Sequence, residues 1–162
     1  MSLFLFFLGL DIFLLWFFYT RFFGAEYCPA EKKVIEKALD FSKLKKNEIF
    51  YDLGSGNGKV LLAASKYCRK AVGIEIDPLR VLISRIKTKG KNIEIIRCNL
   101  FSHNLHDADV IFIFLRQGAN NRLLEKFKKE LKPGARIISH YWTLNLKPYK
   151  TDEKLRVYAY RI

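Results

Sequence analysis

The densest chemical signal in the chain is the run Asp52-Leu53-Gly54-Ser55-Gly56-Asn57-Gly58. Glycines at alternate positions let the backbone turn through positive φ, and they let a ligand lie against bare main chain. Glu75 follows 21 residues after Gly54. Its two carboxylate oxygens can accept both hydroxyls of a ribose. Asn99 closes a third apolar run, where a side-chain amide can read an adenine edge. Each residue also has a plainer reading: Asp52 as a helix cap or loop brace, Glu75 as a solvated acid, Asn99 as a turn former.

Two nucleoside ligands compete for such a loop. A dinucleotide fingerprint reads GxGxxG and sets a pyrophosphate at a helix N-terminus. Here the spacing is GxGxG, and Lys59 stands where that fingerprint wants Gly or Ala. An acid two residues before the first glycine suits a ligand with an amino group better than a pyrophosphate. Both features favour S-adenosylmethionine over a nicotinamide dinucleotide.

A loop of this kind works only between a strand and a helix, and the flanking pattern supplies both. Residues 48–53 read as a short apolar strand, and 60–67 as a helix. A second strand covers 70–76. Asp77 and Pro78 then form a helix start, with Asp at the N-cap and Pro at the first helical position. Strands follow at 93–98 and 109–115. Asn120 can cap a helix that reaches Lys132, where Pro133-Gly134 stops it. Residues 135–142 and 155–162 read as the last strands, with a polar turn over 147–154. Residues 31–41 have helical apolar spacing ahead of the first strand. Strands alternating with helices predict an α/β fold: a Rossmann-like, mostly parallel sheet of six to seven strands, helices on both faces. One apolar N-terminal helix is expected to precede it.

Charge and apolarity are unevenly spread. The chain has 162 residues and a net charge of +13. Eight of its 14 Phe lie in the first 23 residues, where Asp11 and Arg21 are the only charges. Residues 21–162 hold all 29 basic residues and 15 acidic ones, so the body carries +14. That excess points to nucleic acid or an anionic membrane surface. Cys28, Cys68 and Cys98 are too far apart for a zinc knuckle or thioredoxin motif, and they read as ordinary thiols in a reducing compartment. No His, Cys or carboxylate cluster has metal spacing.

Residues 3–19 include 13 Leu, Ile or Phe. On an insertion scale these contribute about −4 to −8 kcal/mol, against a cost of about +2.5 to +3.5 kcal/mol for a central Asp. Insertion therefore wins. Trp16 and Tyr19 suit an interfacial belt. A cleaved signal peptide fits less well, because no Lys or Arg precedes the run. The division expected is a membrane anchor over 1–23 and a catalytic domain over 24–162. The basic side should lie in the cytoplasm, making a single-pass membrane protein.

DLGSGNG resembles motif I of class I S-adenosylmethionine-dependent methyltransferases. Glu75 in AVGIEID is similar to their ribose-binding acid, and ELKPGARIIS to the junction before their fifth strand. More narrowly, the chain resembles the small protein-lysine methyltransferases: archaeal broad-specificity enzymes and the mitochondrial translocase and ATP-synthase c-subunit enzymes. Tyr27-Cys28-Pro29, Cys98 to Phe101, Leu115 to Asn120 and LKPGARIISHYW carry that likeness, with the two motifs above. Together they span most of 27–142.

The resemblance implies S-adenosylmethionine as cofactor and a protein lysine as substrate. Asp52, Gly54, Ser55, Gly56, Asn57 and Gly58 would line the methionine end. Glu75 would hold the ribose, Asn99 with Phe101 would border the adenine, and Leu115 would also contact the cofactor. Tyr27 and Asn120 would position the substrate amine. Ala30 and Glu31 depart from the family's Tyr-x-Pro-Thr-Pro, and the stretch before the last strand is short. The competing readings are an RNA methyltransferase, favoured by the basic body, and a non-catalytic S-adenosylmethionine-binding membrane module. FLRQGAN stands where base amino-group methylation would need an Asn/Asp-Pro-Pro-Tyr motif, which disfavours the RNA reading. His140 reads as a strand residue near the substrate mouth, and His103 and His106 as loop residues.

Overall fold

The structure is a computed structural model describing residues 29–162, together with Phe7, Leu10, Asp11 and Leu14. Those four isolated residues are helical and exposed. The rest of the expected anchor and residues 24–28, with Tyr27 and Cys28 among them, lie outside the described residues. Among the described residues, no helix is long and apolar enough to cross a membrane.

Seven strands and four helices follow one another over the described residues 29–162. They are α1 (Lys32–Ser42), β1 (Ile49–Leu53), α2 (Lys59–Ala64), β2 (Lys70–Glu75), α3 (Pro78–Thr88), β3 (Ile93–Arg97), β4 (Val110–Ile113), α4 (Gln117–Glu130), β5 (Arg136–His140), β6 (Lys150–Asp152) and β7 (Val157–Arg161). The strands form one sheet in the order β3-β2-β1-β4-β5-β7-β6. β1 through β5 run parallel, and β7 runs antiparallel to both β5 and β6. The order reverses between β1 and β4, the place where an open α/β sheet leaves a crevice beyond its carboxyl ends.

Period-two alternation sends side chains of each central strand to opposite layers. Phe50, Ala71, Val110, Phe112 and Ile138 pack with Val34, Ile35 and Ala38 of α1, Leu61 of α2 and Val81 of α3. Tyr51, Val72, Ile111, Ile113 and Ile137 pack with Leu123, Leu124 and Phe127 of α4. β4, Val-Ile-Phe-Ile, is apolar and buried throughout because both faces of the sheet are covered there.

Several boundaries differ from the sequence expectation. α2 ends at Ala64, not 67, because the chain turns there to re-enter the sheet. Asn92 supports that turn by donating to the carbonyls of Ser65, Cys68 and Arg69. α4 starts three residues before Asn120, with extended Arg116 at its N-cap. Asn120 is therefore no cap. β5 stops at His140, since Tyr141 takes φ 69° and leaves the strand. The expected polar turn over 147–154 contains β6, a three-residue edge strand. Its Lys-Thr-Asp sequence hides it from any apolar pattern, and short polar strands are common at sheet edges. The Asp77-Pro78 start is realised: Asp77 Oδ1 accepts the amides of Leu79 and Arg80 at 2.9 and 3.0 Å.

Candidate active site

The crevice beyond β1, β2 and β4 holds a cavity of about 350 Å³, the size of a small-ligand site. The glycine loop forms its floor. Gly54 and Ser55 both donate to the carbonyl of Ile74, at 2.8 and 3.0 Å, which pins the loop to the end of β2. Gly54 has φ +86°, and a Cβ there would lie 3.1 Å from Leu115. Gly58 opens α2 with φ +76°, and a Cβ there would come within 2.5 Å of Ser84 Oγ on α3. Both positions need glycine, for conformation and for space.

Glu75 is buried at the end of β2. Its Oε2 accepts the Gly56 amide at 2.8 Å, and its Oε1 accepts the amides of Ile76 and Asp77, both at 2.9 Å. The carboxylate thus joins the glycine loop to the start of α3. A carboxylate has about four acceptor positions, so this bracing leaves capacity for a ligand hydroxyl. Asp52 is buried beside it. Burial, and then the neighbouring Glu75 charge, push the Asp52 carboxyl up to about 8. A cationic group in the cavity would relieve both penalties.

The remaining walls come from four segments. Pro29 and Ala30 lie on one side, and Ala30 accepts Lys59 Nζ through its carbonyl at 3.0 Å. The departure at Ala30 from the family's threonine therefore leaves this segment against the cavity. Cys98, Asn99, Leu100 and Phe101 follow β3. Asn99 Oδ1 accepts the Phe101 amide at 3.0 Å, so the turn role foreseen for it is present. Phe101 carries the Arg122 guanidinium 4.0 Å above its ring. Phe112, Phe114 and Leu115 complete the wall beyond β4, and Asn57 and Ser55 lie on the loop side.

The structure gathers Asp52, Gly54, Ser55, Gly56, Asn57, Glu75, Asn99, Phe101 and Leu115 on this one cavity. Gly58 shapes it from behind as the N-cap of α2. Asn120 is fully buried and is not among the lining residues. Its amide nitrogen donates to Ser139 Oγ at 3.3 Å and to the Trp142 carbonyl at 3.2 Å, which fastens the loop after β5 to α4. Sequence reasoning did not single out Arg80, Arg122 or Phe114 as cavity residues. Arg80 had a usable signal, since it stands one turn into the helix that follows Glu75. Arg122 and Phe114 had none, because only the packing of α4 and the end of β4 brings them in. His140 packs 4.3 Å from Phe114, and burial lowers its pKa.

A mostly parallel sheet in this strand order with an antiparallel β7, a glycine loop after β1 and an acid ending β2 make a Rossmann-like fold. Residues 52–150 match the family described as the ANTKMT methyltransferase domain, and the chain belongs to that family of S-adenosylmethionine-dependent methyltransferases. It is 36% identical over 120 residues to a protein-lysine N-methyltransferase of Saccharolobus islandicus, covering 70% of this chain and 74% of that one. It is 29% identical to the mouse adenine nucleotide translocase lysine N-methyltransferase, over 70% of this chain and 51% of the relative. The chain thus spans about half the length of that mammalian relative. Among solved structures it is similar to an RNA methyltransferase from Salinibacter ruber in complex with S-adenosyl-L-homocysteine. That likeness has a TM-score of 0.78 and 28% identity, covering 83% of this chain and 94% of that one.

The cavity fits S-adenosylmethionine on its own chemistry. Two buried carboxylates suit a ligand bearing an ammonium, a sulfonium and ribose hydroxyls. The Leu100, Phe101 and Leu115 surfaces suit a flat base, and the glycine loop gives backbone contact.

Proposed function

We propose that the protein methylates lysine side chains of protein substrates. The observation that carries this reading is the pair of buried carboxylates, Asp52 and Glu75, in the cavity of a chain whose relatives are named as lysine methyltransferases. When bound, S-adenosylmethionine supplies an activated methyl group with its leaving group already installed. The chain's own task is then positioning and exclusion of water.

In this reading Asp52 faces the amino group at the methionine end, with Gly54, Ser55, Gly56, Asn57 and Gly58 shaping the backbone around it. Glu75 takes the ribose hydroxyls, and Asn99, Phe101 and Leu115 border the base. Tyr27 and Asn120 serve the substrate side. Asn120 does so by holding the loop from Ser139 to Thr143 in place. A lysine must lose a proton before it attacks. An apolar approach past Phe112 and Phe114 desolvates the ammonium and lowers its pKa, which assists that loss.

Residues 1–23 would form a single-pass membrane anchor, with the catalytic domain, 24–162, on the cytoplasmic side. The apolar run over 3–19 and the +14 body support this arrangement. The second reading is an RNA substrate. It is favoured by the basic body and by the likeness to the Salinibacter enzyme, which covers nearly that whole chain.

One experiment separates the readings. The full chain is incubated with methyl-labelled cofactor and cell extract, and samples are then treated with protease or ribonuclease. Label lost to protease, and recovered as methyllysine, supports the proposal. Label lost to ribonuclease replaces it with the RNA reading. An absence of label with cofactor still bound leaves only a binding module.

A further inference from the structure

Helix α3 is packed with its apolar side outward. It buries Val81, Ser84 and Thr88 against the sheet and α2, and it exposes its four large hydrophobic residues. Leu79 is 47% exposed, Leu82 56%, Ile83 37% and Ile86 67%. These positions repeat at i, i+3, i+4 and i+7, so they form one continuous stripe roughly 100° wide.

The reason for the inversion lies in the site. α3 crosses so close to the glycine loop that a Cβ on Gly58 would meet Ser84 Oγ at 2.5 Å. Besides Val81, the inner face carries only Ser84 and Thr88, so the leucines and isoleucines are left outside.

Charge beside the stripe narrows what can cover it. From Pro78 to Lys91 the chain carries Arg80, Arg85, Lys87, Lys89 and Lys91 and no acid. By helical position, Arg80 and Lys87 flank one side of the stripe, and Arg85 flanks the other. Arg85, Lys87, Lys89 and Lys91 are exposed. Arg85 also donates to the Ile95 carbonyl at 3.0 Å, which holds its guanidinium along the helix flank. Asp77, at the N-cap, lies 3.9 Å from Arg80 Nε, and Glu94 on β3 is paired with Lys70 at 2.6 Å. An apolar stripe edged by cations is the pattern of a helix that lies in a membrane interface, its apolar side in the acyl boundary and its cations at anionic headgroups.

We infer that α3 is an interfacial docking surface for an anionic lipid bilayer, with Leu79, Leu82, Ile83 and Ile86 entering the acyl boundary. Arg80 lines the active-site cavity, so the docked helix sets the cavity beside the bilayer. There it can meet lysines of membrane-embedded proteins. The docking itself does not depend on methyl transfer, and it is distinct from any anchoring by residues 1–23.

The test reads the helix alone. An environment-sensitive fluorescent amino acid replaces Ile83 in the full chain, with a second chain labelled at Lys128 on the exposed side of α4 as control. Both are mixed, without cofactor, with phosphatidylcholine vesicles containing about 30% phosphatidylglycerol and brominated acyl chains. The expected result is a blue shift and about a two-fold quenching at position 83, none at position 128. Changing Lys87, Lys89 and Lys91 together to Glu should abolish the quenching, and so should Leu82→Gln with Ile86→Gln. Vesicle-bound chain with a water-exposed label at 83 would overturn the inference, since the N-terminal segment alone would be responsible. A label already shielded without vesicles would also overturn it, pointing to a protein partner or a second copy. Equal quenching in neutral vesicles would remove the anionic requirement and with it the proposal as stated. A failed methylation assay would leave this result untouched.

Discussion

Helices α3 and α4 are both crossover helices on one sheet, and they solve opposite problems. α4 turns Leu123, Leu124 and Phe127 into the core and leaves Lys128 and Lys129 in solvent. α3 turns Val81, Ser84 and Thr88 inward and leaves leucines and isoleucines in solvent. The difference follows from what each helix faces. α4 lies over a flat apolar sheet face, where bulk fills space. α3 leans on the glycine loop, where any bulk would push into the binding cavity. Hydrophobicity decides which face is buried only where there is room to bury it.

That contrast can be broken by substitution. Phe127→Ala should destabilise the protein by about 3–5 kcal/mol, because a fully buried ring leaves a cavity behind. Urea or thermal denaturation reads this directly. A loss below about 1 kcal/mol would mean that α4 is not the ordinary core helix described.

A smaller effect concerns the cavity that α3 protects. Asp52 is raised to about 8, so in the free protein it holds its proton below that pH. A bound cation favours the carboxylate, so binding releases a proton. Affinity for S-adenosylmethionine should therefore climb from pH 6 to about 8, by up to about ten-fold per pH unit, and then level. The same raised pKa means that folded-state stability without ligand falls as pH rises from about 4 through about 8. Glu75, Lys59, Arg80 and Arg122 line the same cavity, so calorimetry in buffers of different ionisation heat should compare the natural chain with Asp52→Asn. The variant should lose both the slope and the proton release.

Gly58→Ala tests the contact between loop and helix. Its positive φ and the 2.5 Å approach to Ser84 Oγ predict a loss of about 1–3 kcal/mol in stability, with weaker cofactor binding by titration. If Ser84→Gly restored part of that loss in the double variant, steric crowding rather than φ would be the larger share.

The smallest change should come from the outer face. Leu82→Ser with Ile86→Ser should shift stability by no more than about 0.5 kcal/mol, since both side chains are already in water. A large destabilisation would show that the stripe is covered within the folded chain.

The site was unusually legible in the sequence, because its parts are local. Asp52 to Gly58 sits on one strand-turn-helix, and Glu75 follows after one crossover. Backbone conformation at such a loop restricts residue type so strongly that glycines at fixed spacing announce it. The cap formed by Asp77 and Pro78 was legible for the same reason. Residues 110–113 were readable as a strand because two covered faces demand apolar side chains throughout, and 93–97 because three isoleucines stand in a short β-branched run. β6 was not readable, because an edge strand of Lys-Thr-Asp owes its form to pairing with β7 rather than to its own side chains. Asn120 looked like a helix start, and its burial comes from the loop 19–23 residues later in the chain.

Local chemistry alone thus specified an α/β domain with a nucleoside-type loop, two candidate acids at Asp52 and Glu75 and a basic surface. Tertiary packing decided the rest. It put Arg80, Arg122 and Phe114 on the cavity, set Asp52 against Glu75 so that its proton is held to about pH 8, and turned α3 outward. Spacing along a chain limits which side chains share a face. Only the distance to the neighbouring backbone decides which face has room to be inside.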